Sequence, residues 1–169
     1  MVTRRPSRSG KAASKTRVAP AVSPQSANKR LARRWFAQVW NRQRAEVIDQ
    51  LFAPTGVAHG KGADGSAARG PDAFKPYHAA YLNAFPDLRI QVEDVVAEGR
   101  KVAVRWTATG THRGDALGFA ATQRPMRMSG MTFVVVRNGK IVEGWDSYDS
   151  LGMFQQLGIA SAPAAGRPA

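Results

Sequence analysis

The residues able to move protons in this sequence fall mostly on segments that alternate like strands. Residues 140–148 follow a tight-turn signal, and side chains along a strand alternate between its two faces. One face then carries Ile141, Glu143, Trp145, Ser147 and Asp149, and the other carries Val142, Gly144, Asp146 and Tyr148. At most one of the two aspartates therefore points straight into a pocket. One buried carboxylate is enough for general acid/base work, because burial raises a carboxyl pKa toward neutrality.

Two other side chains are candidates for assisting such a carboxylate. Arg105 lies mid-strand between apolar neighbours, where a long cation is costly unless it is paired. It anchors an enolate oxygen, or orients the aspartate, or lies on an outer face with its head in water. His112 follows a strand end at Gly110-Thr111, where it either donates to a developing oxyanion or plays a structural part.

Several other chemistries lack their sequence signatures. The chain has no cysteine, which excludes thiolate catalysis and cysteine metal sites. The three histidines are not spaced as metal ligands on a helix, so with no cysteine a zinc site is not expected. Residues 110–114 do not form a phosphate-binding fingerprint, and no nucleophile elbow flanks Ser129 or Ser147.

Helical spacing predicts three helices in the first half of the chain, with a short strand over residues 55–60 between the second and the third. The first carries an apolar stripe from Leu31 to Trp40, and the second ends before Pro54. Pro71 suits the first position of the third, which otherwise starts or kinks near Pro76. Four alternating segments follow, with Asn138-Gly139 as the strongest hairpin signal. This order indicates an α+β fold with helices on one face of an antiparallel sheet. The other face must meet a pocket, a partner or both.

The positive charge is concentrated at the start of the chain. The net charge is +13, yet residues 1–34 hold 10 of the 25 lysines and arginines and no acidic residue. We expect a disordered basic tail over residues 1–27, one domain over 28–159 and a flexible tail over 160–169. The basic tail is either simply solvated or a weak phosphate- or membrane-surface-binding arm, and specific nucleic-acid binding is not expected. No membrane span or secretory signal is predicted, which suits a cytoplasmic protein.

Three segments carry a resemblance to a known family. Residues 137–158, RNGKIVEGWDSYDSLGMFQQLG, resemble the closing hairpin of the SnoaL-like polyketide cyclases in the NTF2-like superfamily. Residues 104–118, VRWTATGTHRGDALG, and the Phe-Pro-Asp corner that ends residues 70–87 add to the likeness, which spans about residues 30–159. The resemblance implies a cone-shaped α+β barrel, in which a curved antiparallel sheet packs on three N-terminal helices around an apolar pocket.

The resemblance also implies a reaction. Cyclases of this type use acid/base catalysis without a cofactor to close a ring by an intramolecular aldol step, or to perform a related enolisation. The substrate would be a small, hydrophobic, polyketide-like carbonyl or ester compound. Asp149 aligns with the acid/base of characterised members, with Asp146 as its rival and with helix capping or an arginine pair as the structural alternative for Asp149. His112 and Arg105 complete the catalytic candidates, and the candidate substrate-binding residues are His59, Tyr77, Trp106, Met128, Phe133 and Trp145.

Other functions fit the same superfamily. An isomerase or an epoxide hydrolase is one alternative, and hydrolysis would need a polar set such as Asp-Arg-Asp. A noncatalytic small-molecule-binding or dimerisation module is another, in which Asp146 and Asp149 would both face solvent or be held in salt bridges. Family members commonly pair through their sheets, so the resemblance implies a homodimer.

Overall fold

The computed structural model describes residues 23–62 and 64–160. Most of the two expected tails therefore lies outside the described residues. Residues 24–27, which were assigned to the N-terminal tail, belong to the first helix, because Pro24 suits its first turn and the Ser23 side chain accepts a hydrogen bond from the Ser26 N–H.

The described residues form four α-helices and one π-helical segment. The elements are α1 (Pro24–Arg34), a π-helical segment (Trp35–Trp40), α2 (Glu46–Leu51), α3 (Gly70–Ala84) and α4 (Ser150–Leu157). The apolar stripe of the first helix is confirmed, although its second half widens into the π-helical segment. No helix in the described part of the chain is long and apolar enough to cross a membrane.

Helix α3 runs through Pro76, so the predicted start near that residue is wrong. The helix begins at Gly70, with Pro71 in its first turn. A proline leaves the carbonyl four residues earlier without its donor, and here that residue is Asp72. Because Asp72 and Pro76 are both exposed, water can bind the free carbonyl and the helix continues.

In the part of the chain that the structure describes, six strands form one curved, open sheet. They are β1 (Phe52–Ala58), β2 (Ala68–Arg69), β3 (Arg89–Glu98), β4 (Lys101–Thr111), β5 (Pro125–Arg137) and β6 (Lys140–Tyr148), in the spatial order β2-β1-β6-β5-β4-β3. The predicted meander from β3 to β6 is confirmed, and its last turn places Asn138 and Gly139 at φ 50° and 71°. The sheet is mixed rather than antiparallel throughout, because β1 pairs with β6 in parallel. A long crossover through α3 and four strands makes that orientation possible.

A β-bulge in β6 changes which side chains share a face. Val135 pairs with Glu143 and Val136 pairs with Ile141, so Val142 is an extra residue on β6. Beyond the bulge the side-chain alternation continues as predicted. Ile141, however, lies on the face of Asp146 and not on that of Trp145, so its predicted placement is wrong.

The helices cover the concave face of the sheet. Phe36 of the π-helical segment packs against Trp106 of β4, with ring centroids 6.5 Å apart, and both residues are buried. None of the described helices covers the convex face, which exposes Met131, Phe133 and Trp145. The pocket predicted by the fold can therefore form only on the concave side.

Candidate functional site

An apolar cavity of about 80 Å³ lies between the helices and the concave face of the sheet. That volume has room for several water molecules. Most of its wall is aromatic or aliphatic, and five lining side chains carry an oxygen atom. These residues are Tyr77, Tyr81, Thr132, Asp146 and Tyr148.

Asp146 is held at this cavity by a directed hydrogen-bond chain from two neighbouring strands. The indole Nε1–H of Trp106 donates to Thr132 Oγ1 at 2.9 Å, and the Thr132 hydroxyl donates to Asp146 Oδ1. The direction is fixed, because an indole N–H only donates and a carboxylate only accepts. Thr132 stands opposite Asp146 in the β5–β6 register, which is why its hydroxyl reaches the carboxylate.

Gly130 makes room for this chain. It pairs with Trp106 across β4 and β5, and a Cβ at this glycine would lie 2.5 Å from Cζ2 of the Trp106 ring. A side chain here would push the indole away from Thr132. The glycine is therefore required by close approach and not by a special backbone angle.

Lys61 binds the second carboxylate oxygen. Its Nζ lies 3.2 Å from Asp146 Oδ2 and donates to Tyr77 Oη at 2.9 Å. The same nitrogen sits over the rings of Tyr77 and Tyr148, at 4.6 and 5.1 Å from their centroids. Lys61 comes from the glycine-rich loop after β1, yet its side chain is only 6% exposed. Its role was not predictable from the sequence, because nothing in the loop sequence signals a buried cation.

Three tyrosines complete the polar end of the cavity. The hydroxyls of Tyr81 and Tyr148 are hydrogen-bonded at 2.8 Å, and the ring of Tyr77 lies 4.9 Å from that of Tyr81. Burial raises the pKa of Tyr77 and of Tyr81, so both remain neutral phenols. Phenols can donate to an oxygen of a bound molecule. Tyr81 follows Tyr77 by one helical turn, and Tyr148 follows Asp146 by two strand residues, so the spacing could have identified both.

Asp149 lies outside the cavity and caps helix α4. Its side chain accepts a hydrogen bond from the Gly152 N–H at 2.8 Å. Helix α4 starts directly after it, so the carboxylate points to the first turn of that helix. Asp146 lines the cavity, and its side chain is 26% exposed. Of the two aspartates, the structure brings only Asp146 together with the predicted Tyr77, Trp106 and Met128 at the cavity wall.

Three predicted binding residues lie on the convex face instead. His59 stacks on Trp145 with ring centroids 4.7 Å apart, and its Nε2 is 3.0 Å from a Glu143 oxygen. The ring of Phe133 also packs against Trp145, with ring centroids 5.9 Å apart. These side chains belong to the faces opposite Asp146 and Thr132, so they do not contribute to the cavity wall.

Arg105 and His112 also lie away from the cavity. Arg105 donates from Nε to Asp94 at 2.8 Å, and both side chains are more than half exposed. His112 is fully buried, and its Nδ1 accepts from the Thr122 N–H at 3.2 Å. The Nε2 of His112 has no hydrogen-bond partner among the described residues. Neither side chain contacts Asp146.

His78 has a structural contact next to the cavity wall. Its Nε2 is 2.8 Å from the Val39 carbonyl, and its ring lies 5.0 Å from that of Trp40. Desolvation lowers the pKa of His78, so the neutral ring is favoured. No group of three or more His, Asp or Glu side chains suited to a metal occurs in the described part of the chain.

Comparisons with known proteins agree with this architecture. A family model described as SnoaL-like polyketide cyclase matches residues 30–157. The crystal structure of IdmH from Streptomyces antibioticus, a candidate polyketide cyclase, is 30% identical with a TM-score of 0.68, over 78% of this chain and 98% of that one. AclR from Streptomyces galilaeus, a candidate hydroxylase, is 26% identical with a TM-score of 0.71, over 83% of this chain and 91% of that one.

A more distant likeness concerns the fold alone. A Catenulispora acidiphila protein described as having a ketosteroid isomerase-like fold is 18% identical, with a TM-score of 0.64, over 79% of this chain and 97% of that one. A search of the curated proteins found no match to this chain.

Proposed function

Since the chain belongs to the SnoaL-like polyketide cyclase family of the NTF2-like superfamily, we propose that it is a cofactor-free acid/base enzyme whose base is Asp146. The observation that supports this role is the Asp146 carboxylate on the wall of an apolar cavity, fixed by Thr132 and Lys61. Asp149, the residue first expected in this role, is engaged as a helix cap. The proposal therefore transfers the role to its rival.

The proposed reaction needs only proton transfers and one carbon–carbon bond. Asp146 removes a proton from a carbon between two carbonyls, and the C–H electron pair becomes an enolate. The enolate carbon then attacks a carbonyl of the same molecule, and the π electrons of that carbonyl form an alkoxide. The alkoxide takes the proton back from Asp146, which regenerates the base.

The cavity wall supports such a reaction in two ways. The tyrosines offer neutral O–H donors close to the carboxylate, where an enolate oxygen would develop its charge. The aromatic wall limits water around the reacting groups and suits a flat hydrophobic molecule. A small carbonyl or ester compound of polyketide type fits these requirements.

A noncatalytic binding protein is the second candidate. The specific observation in its favour is the ion pair of Asp146 with Lys61, which reduces the freedom of the carboxylate to act as a base. A hydrolase reading has less support, because Arg105 pairs with Asp94 on the convex face and no described arginine lines the cavity.

Solvent deuterium exchange separates the two candidates. A methyl naphthoylacetate probe has an acidic C–H between a ketone and an ester, and NMR follows its exchange in heavy water. We expect Asp146→Asn to slow the enzyme-dependent exchange by about 100-fold or more. Asp149→Asn, the matched control, should stay within about threefold of wild type. Wild-type binding of the probe without any enzyme-dependent exchange would instead establish the noncatalytic candidate.

The convex face supports a proposed homodimer. Met131, Phe133 and Trp145 expose apolar surface beside His59, and such a patch on a sheet face suits pairing with a second copy. Sedimentation of the full chain tests this idea. We expect a dimer for wild type and dissociation for Phe133→Glu, and a monomeric wild type would contradict the proposal.

A further inference from the structure

We propose that Lys61 and Tyr77 make the cavity selective for ligands with an oxyanion, meaning an enolate or phenolate oxygen on a flat hydrophobic body. Tyr77 is the group that would touch that oxygen, and Lys61 acts through Tyr77 and Asp146 as a positioning residue. This inference rests on the proposed function, because it names the charge of the species that the site stabilises.

The burial of Lys61 is the first reason. It is the only buried lysine or arginine among the described residues. A buried ammonium is costly unless strong partners surround it. Its partners are the Asp146 carboxylate, the Tyr77 hydroxyl and two aromatic faces, and all of them belong to residues that line the cavity. The cation is therefore held against the site and not at the protein surface.

The direction of the hydrogen bonds is the second reason. An ammonium can only donate, so Tyr77 Oη accepts from Lys61 and the Tyr77 hydrogen points elsewhere. Tyr77 lines the cavity beside Tyr81 and Tyr148, so this hydrogen can turn to one of those hydroxyls or to an oxygen of a bound ligand. Accepting a bond from a cation polarises the phenol, which strengthens it as a donor to an oxygen with negative charge.

The charge balance during proton transfer is the third reason. When Asp146 takes a proton from the substrate, its carboxylate becomes neutral and the negative charge moves to a substrate oxygen. Lys61 then loses its counter-ion at the moment when an oxyanion forms in the cavity. The buried ammonium favours that state, because otherwise it would be left without an anionic partner.

Naphthol binding tests the inference without any turnover. The Asp146→Asn variant places an uncharged amide where the protonated acid would stand, and the spectrum of 2-naphthol reports whether the bound molecule is ionised. We expect this variant to bind 2-naphthol mainly as the naphtholate. Adding Lys61→Met should shift the bound form to the neutral naphthol and weaken binding at least tenfold.

A ligand that cannot ionise and two further variants serve as controls for this test. Binding of 2-methoxynaphthalene, which cannot ionise, should change less than threefold on Lys61→Met, which shows that the cavity is intact. Tyr77→Phe in the Asp146→Asn background should also lower the naphtholate fraction, and Lys61→Arg should restore part of it. Should Lys61→Met fail to fold, Tyr77→Phe alone decides the matter.

Two results would overturn the inference. One is an unchanged naphtholate fraction in the Lys61→Met or Tyr77→Phe variant. The other is failure of Asp146→Asn to bind 2-naphthol at millimolar concentration. Failure of the proposed function looks different, because Asp146→Asn would then keep its deuterium exchange whatever the naphthol spectra show.

Discussion

Thr132→Val is the substitution that most sharply tests the hydrogen-bond chain at Asp146. Thr132 is 9% exposed, and its hydroxyl both accepts from Trp106 and donates to Asp146. Valine keeps the shape of threonine and removes the hydroxyl. The substitution therefore leaves the Trp106 N–H in a buried place without a partner, because Trp106 itself is 5% exposed.

The expected magnitude follows from these contacts. An orphaned buried donor costs about 1–3 kcal/mol. Loss of the hydrogen bond to Asp146 destabilises the protein less, since water can replace the Thr132 hydroxyl at a carboxylate that is 26% exposed. Burial of the added methyl group of valine stabilises the folded state by about 1 kcal/mol or less. We therefore expect the free energy of unfolding to fall by about 2 kcal/mol.

Urea unfolding in a double-mutant cycle measures this effect. In the Trp106→Phe background the indole donor is absent, so Thr132→Val should cost about 1 kcal/mol less than in wild type. A cost below about 0.5 kcal/mol in wild type, or equal costs in both backgrounds, would refute the chain as described.

Three further predictions concern other residues. Gly130→Ala should destabilise the protein by about 1–3 kcal/mol, since its Cβ would meet the Trp106 ring at 2.5 Å. Thermal unfolding of both variants checks this, and Gly144→Ala should be milder, because its Cβ would meet Val134 at an ordinary 3.4 Å. Burial holds the pKa of His78 below its ordinary 6.5, so the unfolded chain takes up protons first and stability should fall as pH drops below about 6.5. His78→Gln should flatten that dependence in unfolding curves from pH 5 to 8, and an unchanged slope would count against it. Arg105→Met should leave deuterium exchange within about twofold of wild type, because Arg105 pairs with Asp94 away from the cavity; a large loss would restore its catalytic candidacy.

Local patterns predicted much of the fold. The apolar stripe of the first helix, the meander from β3 to β6 and the Asn138-Gly139 turn all depend on near neighbours in sequence. The parallel pairing of β1 with β6 and the bulge at Val142 were not predictable in this way. Both depend on how distant segments align, and a single sequence carries no signal for that register.

The site was predictable only in part for the same reason. Strand alternation correctly separated Asp146 from Trp145, but it could not say which face the helices cover. Asp149 stands one residue after β6 and directly before α4, so its side chain caps that helix. Lys61 reaches Asp146 across 85 positions of sequence, from a loop whose composition suggests only flexibility.

The most direct test of the central claim is a crystal structure of the full chain with methyl naphthoylacetate bound. The account predicts that the ligand lies in the cavity between the helices and the sheet, with its acidic carbon within about 3.5 Å of an Asp146 carboxylate oxygen. One of its carbonyl oxygens should accept a hydrogen bond from Tyr77. A ligand bound on the convex face beside Trp145, or a cavity that stays closed to it, would contradict the assignment of Asp146 as the acid/base.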